Sequence, residues 1–533
     1  MAKRIEREPK RIGRRGFGGL LAVPAVSCFV GGCRRSPRGD YAAPGVSGTG
    51  PITADADAID VDLGTTLGPF HRLSGVQGSP VPLVEGDVDH RERYRAHHIE
   101  HARFPQDCQP NTLTLAAIFP DGRADPGKAD SYHFQAIDPH LAAAQAAGAK
   151  VLWQSSYDVG RSDSWHTYNL QGRAPTDLDR WSRVVTRCLE HFNNRFAGGL
   201  DYAVPQVEFV NEPNGLGGFG GARAKDLLPA FLRFLETIER YNRAHPDTPV
   251  KSVGPGIPFS HPDYDRWKPR FAKLFERLRA DGRRLDVFSF HSYGSDVSPV
   301  ANAKLARALR AQLDEHGLKE SELWNTEWQA GDFLRRHLGI RSRPARKPTE
   351  AELRAFGAGM ATYALSCKIR WQGVLTGSYY YRANMRAFPP RVEAERLLRG
   401  RPGYALLFTS EGEARPLAFQ ESLTHRIAGE APLRCQTTWR DDGQLCALGL
   451  CSKDGSTAAV LLCNLAPTSR PVTVRLTGLS RSSDGPATVI SLDGQSAPLA
   501  EQPISVPPAR GGALTLQTII PPLGTRYLVL KRT

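Results

Sequence analysis

Apolar and polar residues alternate in two different ways along this chain, and the pattern changes near Pro402. From about Leu73 to Tyr381, short apolar runs alternate with segments whose apolar positions recur every three or four residues. The clearest predicted strands cover residues 149–154, 206–212, 286–291 and 323–328. Strands that alternate with amphipathic helices are typical of a parallel sheet with crossover helices.

Two of the predicted helices each present one continuous apolar face. The first face is formed by Leu178, Trp181, Val184, Val185, Cys188, Leu189 and Phe192. The second face is formed by Leu227, Leu228, Phe231, Leu232, Leu235 and Ile238. Roughly 310 residues for eight strand and helix pairs suit a (β/α)8 barrel with long loops. We therefore predict an α/β fold in which residues 55–400 form a TIM barrel.

After Pro402, strand patterns follow one another without helices. The predicted strands cover residues 458–464, 471–476, 487–492 and 514–530, the last broken at two prolines. This succession of strands without helices predicts an all-β sandwich over residues 401–533. The alternating run at 59–63 is an early strand that can join the sandwich.

The N-terminal residues have the layout of an export signal. Seven basic residues precede a weakly apolar stretch, and they are Lys3, Arg4, Arg7, Lys10, Arg11, Arg14 and Arg15. Arg14-Arg15-Gly16-Phe17 resembles a twin-arginine export motif, and Phe29–Cys33 resembles a lipobox, which implies lipidation of Cys33. We predict a signal at 1–33, a linker at 34–54 and a lipid-anchored protein in the periplasm or at the cell surface. A basic N-terminal arm is the alternative.

Composition narrows the class of protein. The chain has 533 residues, of which 40% are hydrophobic and 23% charged, and its mean hydropathy is −0.38. These values exclude disordered, collagen-like and multi-span membrane proteins, and the length suggests roughly two to four domains. A total of 69 Lys and Arg against 55 Asp and Glu gives a formal charge of +14. That charge suits nucleic acid, anionic lipid or an acidic glycan, but the chain has no recognisable nucleic-acid motif.

The nine cysteines include no Cys-x-x-Cys pair, so we predict no zinc site. In an exported domain, four of them lie close enough in sequence to form disulfides: Cys435, Cys446, Cys451 and Cys463. Without Cys28, removed with the signal, and the lipidated Cys33, seven cysteines remain. At least one thiol should therefore stay free.

Two predicted strands end in a glutamate. In Val207-Glu208-Phe209-Val210-Asn211-Glu212-Pro213 the proline stops the strand, which places Glu212 at the carboxyl end of the barrel, where barrel enzymes carry their chemistry. Leu323-Trp324-Asn325-Thr326-Glu327 ends in the same way about three strand and helix units later. The two carboxylates can therefore face one cleft.

Paired carboxylates about 5 Å apart can cleave a glycosidic bond with retention, one as the proton donor and the other as the nucleophile. The chemistry needs unlike surroundings, because the acid must hold its proton while the nucleophile stays ionised. A solvated surface glutamate is the alternative for either position, and Asn-Glu-Pro alone is a weak motif. The pairing of the two strand ends carries more weight than either tripeptide.

Asn211-Glu212-Pro213 and Thr326-Glu327-Trp328 resemble the fourth and seventh strand motifs of clan A retaining glycoside hydrolases, most closely family 39. That family includes β-xylosidases, α-L-iduronidases and bacterial enzymes that act within exopolysaccharides. The resemblance implies a TIM barrel followed by a β-sandwich from about residue 55 onward. It also implies that Glu212 is the acid/base, Glu327 the nucleophile and Asn211 a donor to the sugar 2-hydroxyl, with no cofactor.

Further positions fit the same resemblance. Ala102-Arg103-Phe104-Pro105 is similar to the second strand, whose arginine supports the nucleophile, and Ser289-Phe290-His291-Ser292-Tyr293 is similar to the sixth, whose histidine and tyrosine line the site. A surface ion pair is the alternative for Arg103, and a core position is the alternative for His291. Sugar stacking is predicted for aromatic residues near strand ends, with core packing as the alternative: Trp153, Trp328, Tyr379 and Tyr381. The family more often has tryptophan at the last strand, so the identity of the sugar stays open.

Other signals are discounted. His90, His97, His98 and His101 have no carboxylate partner at ligand spacing, so we predict no metal site there. A basic loop follows Glu327, and it contains Arg335, Arg336, Arg341, Arg343, Arg346 and Lys347. On a barrel this loop overhangs the cleft and favours a uronate-bearing polymer, with a merely solvated loop as the alternative.

The sequence thus predicts an exported retaining glycoside hydrolase that acts on an oligo- or polysaccharide. An endo-acting exopolysaccharide hydrolase or transglycosidase is one alternative. A catalytically silent glycan-binding lipoprotein is the other, because a fold alone does not guarantee a function. The presence of both glutamates favours the enzyme.

Overall fold

The computed structural model describes most of the chain between residues 56 and 531. The described residues are 56–81, 88–104, 114–155, 177–213, 224–258, 263–293, 298–329, 333–334, 337, 350–383, 406–409, 412–479, 487–493, 499–507, 509 and 511–531. The predicted signal, Cys33, the linker up to residue 54 and the six basic residues of the loop after Glu327 lie outside them.

Seventeen strands lie in the described residues. They are β1 (Asp57–Pro69), β2 (Gly75–Gln77), β3 (His101–Phe104), β4 (Lys150–Gln154), β5 (Gln206–Glu208), β6 (Lys251–Pro258), β7 (Val287–Ser292), β8 (Glu322–Trp328), β9 (Gly377–Tyr380), β10 (Leu433–Trp439), β11 (Leu445–Cys451), β12 (Thr457–Asn464), β13 (Arg470–Thr477), β14 (Ala487–Leu492), β15 (Glu501–Ile504), β16 (Leu514–Ile520) and β17 (Gly524–Lys531).

The same part of the chain forms nine α-helices. They are α1 (Arg91–Ala96), α2 (Leu115–Ile118), α3 (Asp138–Ala146), α4 (Leu178–Asn194), α5 (Ala224–Ala244), α6 (Tyr264–Ala280), α7 (Pro299–Glu315), α8 (Glu350–Trp371) and α9 (Pro416–Glu430). Helix α4 begins where the side chain of Asp177 accepts a hydrogen bond from the Arg180 backbone, a standard N-cap.

Strands β2 to β9 form a closed parallel barrel in chain order, and β2 pairs with β9 to complete it. The predicted α/β fold class is confirmed. The amino-terminal part of the barrel interior is filled by a small apolar layer: Leu152, Val253, Val287, Trp324 and Tyr379. The polar side chains of the site lie above this layer, at the carboxyl end of the barrel.

The remaining strands form one nine-stranded sheet in the order β15-β14-β17-β12-β11-β10-β1-β13-β16. Strand β16 contacts β12 and β17, which are not its neighbours in that order, so the sheet folds over an apolar cluster as a sandwich. Strand β1, from the start of the described chain, pairs antiparallel with β10 and parallel with β13.

Helix α9 lies in the region predicted to contain strands only. Its polar residues Gln420, Glu421 and Thr424 are buried with its apolar ones, so the sequence lacks the clear amphipathic pattern of a surface helix. With α8, it packs against the outer face of the sandwich.

The predicted disulfides among Cys435, Cys446, Cys451 and Cys463 are not formed, and all four side chains are buried. Cys446 lies opposite Cys463 on β11 and β12, and both belong to the cluster against α8, whereas Cys435 and Cys451 belong to the cluster on the other face of the sheet. Among the helices of the described residues, none is both long and apolar enough to cross a bilayer.

Candidate active site

Strand alternation brings side chains from two strands, β3 and β7, together at the carboxyl end of the barrel. Along β7, Ser289 and His291 point inward, and Tyr293 follows in the same phase. From β3, Arg103 points inward between two outward apolar neighbours, and it is fully buried. These positions alternate regularly, so their inward direction can be read from the sequence.

A β-bulge in β8 directs the side chain of Glu327 into the barrel. Phe290 pairs with Asn325, but the next residue of β7, His291, pairs with Glu327, so β8 contains one extra residue at this point. Trp324 points into the barrel, and simple alternation would turn Glu327 outward. The bulge resets the phase and turns the Glu327 carboxylate into the barrel.

Glu212 lies just past β5 in an uncommon backbone conformation. Its φ is +44°, in the left-handed region that non-glycine residues seldom occupy. Its side chain is 24% exposed, and Oε1 lies 3.0 Å from His291 Nδ1. Such strain persists where the surroundings fix the backbone, which is frequent at functional sites.

Arg103 connects the site residues. Its Nη1 donates to Glu327 Oε2 at 2.8 Å, and its Nη2 donates to Asn211 Oδ1 at 3.1 Å. Because a guanidinium has only donors, it fixes the Asn211 amide with the oxygen towards Arg103 and the NH2 group on the other side. Nη2 also lies 3.4 Å from His291 Nε2. One cation therefore orients an amide, an imidazole and a carboxylate.

Glu208 and Ser289 belong to this network, although the sequence analysis did not select them. Arg103 Nε donates to Glu208 Oε2 at 2.7 Å, and Ser289 Oγ donates to Glu208 Oε1 at 3.0 Å. The one sequence signal for Glu208 is a charge at an inward position of an otherwise buried strand.

Tyr293 donates a short hydrogen bond to Glu327 Oε1. Burial raises the pKa of the Tyr293 hydroxyl well above its ordinary value, and the neighbouring Glu327 adds to that effect, so the hydroxyl keeps its proton. The ring of Tyr381 meets Tyr293 edge to face at 6.1 Å, which places Tyr381 beside the same network. Tyr293 and Tyr381 thus lie together on the side of Glu327.

The two predicted catalytic carboxylates are close together. Oxygen and nitrogen ligand atoms of Glu212, His291 and Glu327 all lie within 4.8 Å of one another. Inverting glycosidases separate their carboxyl groups by about 6.5–9.5 Å to leave room for water, whereas retaining enzymes hold them about 5 Å apart. The geometry matches the retaining arrangement.

The surroundings of the two carboxylates differ. Burial raises the pKa of Glu327, against the opposing charges of His291 and Arg103 and the Tyr293 hydrogen bond. Burial of Glu212 also favours its neutral form, but the hydrogen bond and charge of His291, with Arg103, outweigh it and lower the pKa of Glu212.

Glu212, His291 and Glu327 are also the group of described residues whose donor atoms are close enough to hold a metal ion. Arg103 lies 2.8 Å from Glu327 and 3.4 Å from His291, and its positive charge opposes a second cation at that point. The donor set is therefore better suited to proton transfer than to metal binding.

Two residues predicted to stack on sugars, Trp153 and Trp328, lie in the core instead. Trp153 is fully buried and packs edge to face on Phe192, in the layer between barrel and helices. The bulge in β8 that turns Glu327 inward turns Trp328 outward, onto Trp371 of α8. A fully buried indole has no face available to a sugar, so core packing replaces stacking at both positions.

Tyr379 points into the barrel but lies one layer below the site. It is 1% exposed, and its hydroxyl donates to Gln206 Oε1 at 2.9 Å. His101 contacts the Tyr379 ring edge to face, and burial lowers the pKa of this histidine to about 4. Both residues belong to the filled interior of the barrel.

The other discounted histidines lie near α1. His90 and His97 pack on the ring of Phe408, and His98 stacks on His425 of α9 at 3.6 Å between ring centroids. They contribute to the contact between the barrel and the segment that contains α9.

Comparison with solved structures identifies proteins that share this fold. The chain matches a glucosidase from Croceicoccus marinus with a TM-score of 0.62 at 18% identity, over 90% of this chain and 99% of that chain. A GH39 enzyme from Xanthomonas axonopodis pv. citri matches with a TM-score of 0.59 at 16% identity, over 90% and 98% of the two chains. A GH39 β-xylosidase from Caulobacter crescentus matches with a TM-score of 0.55 at 16% identity, over 89% and 100%. The chain therefore has the fold of these glycoside hydrolases over nearly their whole length.

Sequence comparisons add no closer relative. No protein-family model matches the chain, and a search of curated proteins gives no significant match.

Proposed function

We propose that this protein is a retaining glycoside hydrolase in which Glu327 is the nucleophile and Glu212 the acid/base. The observation that carries the proposal is the pair of carboxylates with atoms within 4.8 Å of each other, in unlike surroundings, at the carboxyl end of the barrel. Asn211, Arg103, His291 and Tyr293 complete the site.

In the first step, a carboxylate oxygen of Glu327 attacks the anomeric carbon while the bond from that carbon to the leaving oxygen breaks. Glu212 gives its proton to the leaving oxygen and becomes a carboxylate. Arg103 and Tyr293 hold the two oxygens of Glu327, so the attacking carboxylate reaches the sugar in one orientation. The product of this step is a glycosyl ester of Glu327.

In the second step, Glu212 takes a proton from water as the water oxygen attacks the same carbon. The bond to Glu327 breaks, its carboxylate is restored, and the sugar leaves with its original configuration. Glu212 is the more exposed of the two carboxylates, at 24% against 5%, as the group that meets both leaving group and water should be.

The first step needs a proton on Glu212 and a charge on Glu327. With atoms within 4.8 Å of each other, the two groups titrate as a pair, so one proton can be shared between them. Arg103 and the Tyr293 hydroxyl favour the charged form of Glu327, and burial favours the neutral form of Glu212. We propose that the reaction starts from the form of the pair in which the proton is on Glu212.

The proposed substrate is an oligo- or polysaccharide, in line with the glucosidase and β-xylosidase that share the fold. Export by a twin-arginine-type signal and anchoring through Cys33 are part of the proposal, and they rest on the sequence motifs alone. The basic loop after Glu327 extends the proposal to acidic glycans, and the endo-acting alternative stays open.

The test uses the purified protein with aryl glycosides and with neutral and acidic polysaccharides. Released sugars are followed by mass spectrometry and anomeric NMR, for the wild type and for Glu327→Gln. Glu322→Gln is the matched control, because Glu322 lies on the same strand at the opposite end and pairs with Lys251. We expect retained configuration, loss of turnover in Glu327→Gln and normal turnover in the control.

Two results would contradict the proposal. Inverted configuration would exclude the covalent intermediate. Saturable glycan binding without turnover, unaffected by Glu327→Gln, would favour the silent glycan-binding protein.

A further inference from the structure

Glu208 is a buried carboxylate to which the proposed reaction assigns no step. Its Oε2 lies 2.7 Å from Arg103 Nε and 2.6 Å from Arg103 Nη2, and its Oε1 accepts from Ser289 Oγ at 3.0 Å. The side chains of Glu208 and Arg103 are both 0% exposed. Neighbouring strands thus hold the two carboxylate oxygens in fixed positions.

Arg103 divides one positive charge between two carboxylates. Its Nη1 contacts Glu327, while Nε and Nη2 contact Glu208. A guanidinium that faced Glu327 alone would form a full buried ion pair and hold the carboxylate in its charged form more firmly. A carboxylate stabilised in that way is a weaker base and a weaker nucleophile. Glu208 therefore offsets part of the charge that Glu327 experiences.

The same contact sets the plane of the guanidinium. Nη2 donates to Asn211 Oδ1 at 3.1 Å and faces His291 Nε2 at 3.4 Å. A guanidinium is a rigid planar fork, so fixing its Nε edge on Glu208 fixes the directions of Nη1 and Nη2. Rotation of this plane would displace three site residues together.

We propose that Glu208 is a positioning residue that orients Arg103 and offsets its charge, so that Glu327 keeps its reactivity as a nucleophile. The inference rests on the proposed glycoside hydrolysis and deepens it. Glu208 itself touches no substrate in this scheme.

Among the described residues, charged and titratable groups reach Glu327 and Glu208 from several strands. Glu327 faces Arg103 from β3, Glu212 beyond β5, and His291 and Tyr293 from β7. On the other side, Glu208 faces Arg103, with Tyr379 of β9 near it. Loss of the charge of Glu208 leaves Glu327 exposed to the full charge of Arg103, which lowers the pKa of Glu327. Because the nucleophile must be ionised, the acidic limb of kcat/KM then moves to lower pH.

The experiment compares pH profiles of kcat and kcat/KM on an aryl glycoside that the wild type cleaves. Glu208→Gln removes the charge with little change of shape, and Glu208→Asp keeps the charge but withdraws the carboxylate from Arg103. Glu421→Gln is the control, because Glu421 is an equally buried carboxylate that pairs with Lys368 between α8 and α9.

We expect Glu208→Gln to move the acidic limb about one pH unit lower and to reduce kcat at least about tenfold. We expect Glu208→Asp to leave the limb in place while kcat falls at least about tenfold, since only the orientation of Arg103 changes. Glu421→Gln should show the wild-type limb and kcat.

An unmoved acidic limb in folded Glu208→Gln would overturn the inference while the hydrolase proposal stands. If Glu208→Gln does not fold, Glu208→Asp decides, and a wild-type kcat in that variant would overturn the inference. Failure of the wild type to cleave any glycoside would instead overturn the proposed function, and the inference with it.

Discussion

Two buried ionic clusters in this protein differ in their balance of charge. Between α8 and α9, Lys368 Nζ lies 2.7 Å from Glu421 Oε1, and each side chain is 2% exposed, so one cation meets one carboxylate. In the barrel, the single cation of Arg103 meets both Glu208 and Glu327, and a third carboxylate lies beyond His291. Counted over the described residues, the first cluster is neutral, whereas the second carries excess negative charge.

Buried charge without a partner lowers stability, so excess charge persists where it serves chemistry. The neutral pair joins two helices and has no part in the reaction proposed above. In the barrel cluster, Arg103 does not fully neutralise the charge of Glu327. A nucleophile needs this remaining negative charge. Variants of the two clusters should therefore change stability and activity in opposite ways.

The largest difference is expected for Glu327→Gln. Removal of the nucleophile should lower kcat at least about 10⁴-fold, and removal of excess negative charge should raise the thermal unfolding midpoint. Glycoside hydrolysis and calorimetry on the same preparation measure both. A lower midpoint would show that the charge in the barrel is balanced after all.

The neutral pair should respond in the reverse sense. Glu421→Gln leaves the Lys368 ammonium buried without its partner, so we expect a loss of about 3–5 kcal/mol in the free energy of unfolding and an unchanged kcat. Urea unfolding measures the loss. The double variant Lys368→Met with Glu421→Leu should recover most of it, and a double variant as unstable as the single one would contradict this account.

A smaller effect is expected from His291→Gln. The hydrogen bond and charge of His291, with Arg103, lower the pKa of Glu212 against the effect of burial, so the variant raises that pKa. Because the acid/base acts in its protonated form, a higher pKa preserves activity to higher pH. We expect the basic limb of kcat/KM to move up by about one pH unit. A downward movement would indicate that another group sets that limb.

The smallest effect is expected from Tyr379→Phe, one layer below the site. The substitution removes the hydrogen bond to Gln206 Oε1, so stability should fall by about 1 kcal/mol with kcat and KM unchanged. Chemical denaturation and steady-state kinetics provide the two values. A raised KM would restore the predicted sugar contact of Tyr379.

The barrel could be predicted because its strands and helices carry regular periods, although β5 ends at Glu208 and not, as predicted, just before Pro213. The outward direction of Trp328 could not be predicted. It results from the bulge in β8, where His291 pairs with Glu327, and no sequence pattern indicates this bulge. The place of Trp328 near a strand end therefore suggested a sugar contact for a residue that packs on α8.

Glu208 illustrates a second limit. A glutamate in a short strand has no visible function until its partner is known, and Arg103 lies 105 residues earlier in the chain. The missed helix α9 has a similar cause, because its buried Glu421 pairs with Lys368 of a different helix, 53 residues away. Local patterns locate strands and helices, whereas long-range charge pairing depends on the folded arrangement.

The pairing of β1 with strands near the other end of the chain has a consequence for folding during synthesis. Asp57 on β1 bonds to Arg470, 413 residues later in the chain, so the first strand leaves the ribosome long before its neighbours β10 and β13. The whole barrel is made in the interval. Until synthesis reaches these partners, β1 presents two unpaired edges, which chaperones or the nascent barrel must shield from other chains. A nascent chain stopped after the barrel would therefore carry β1 without either partner, as an unpaired strand that is prone to aggregate.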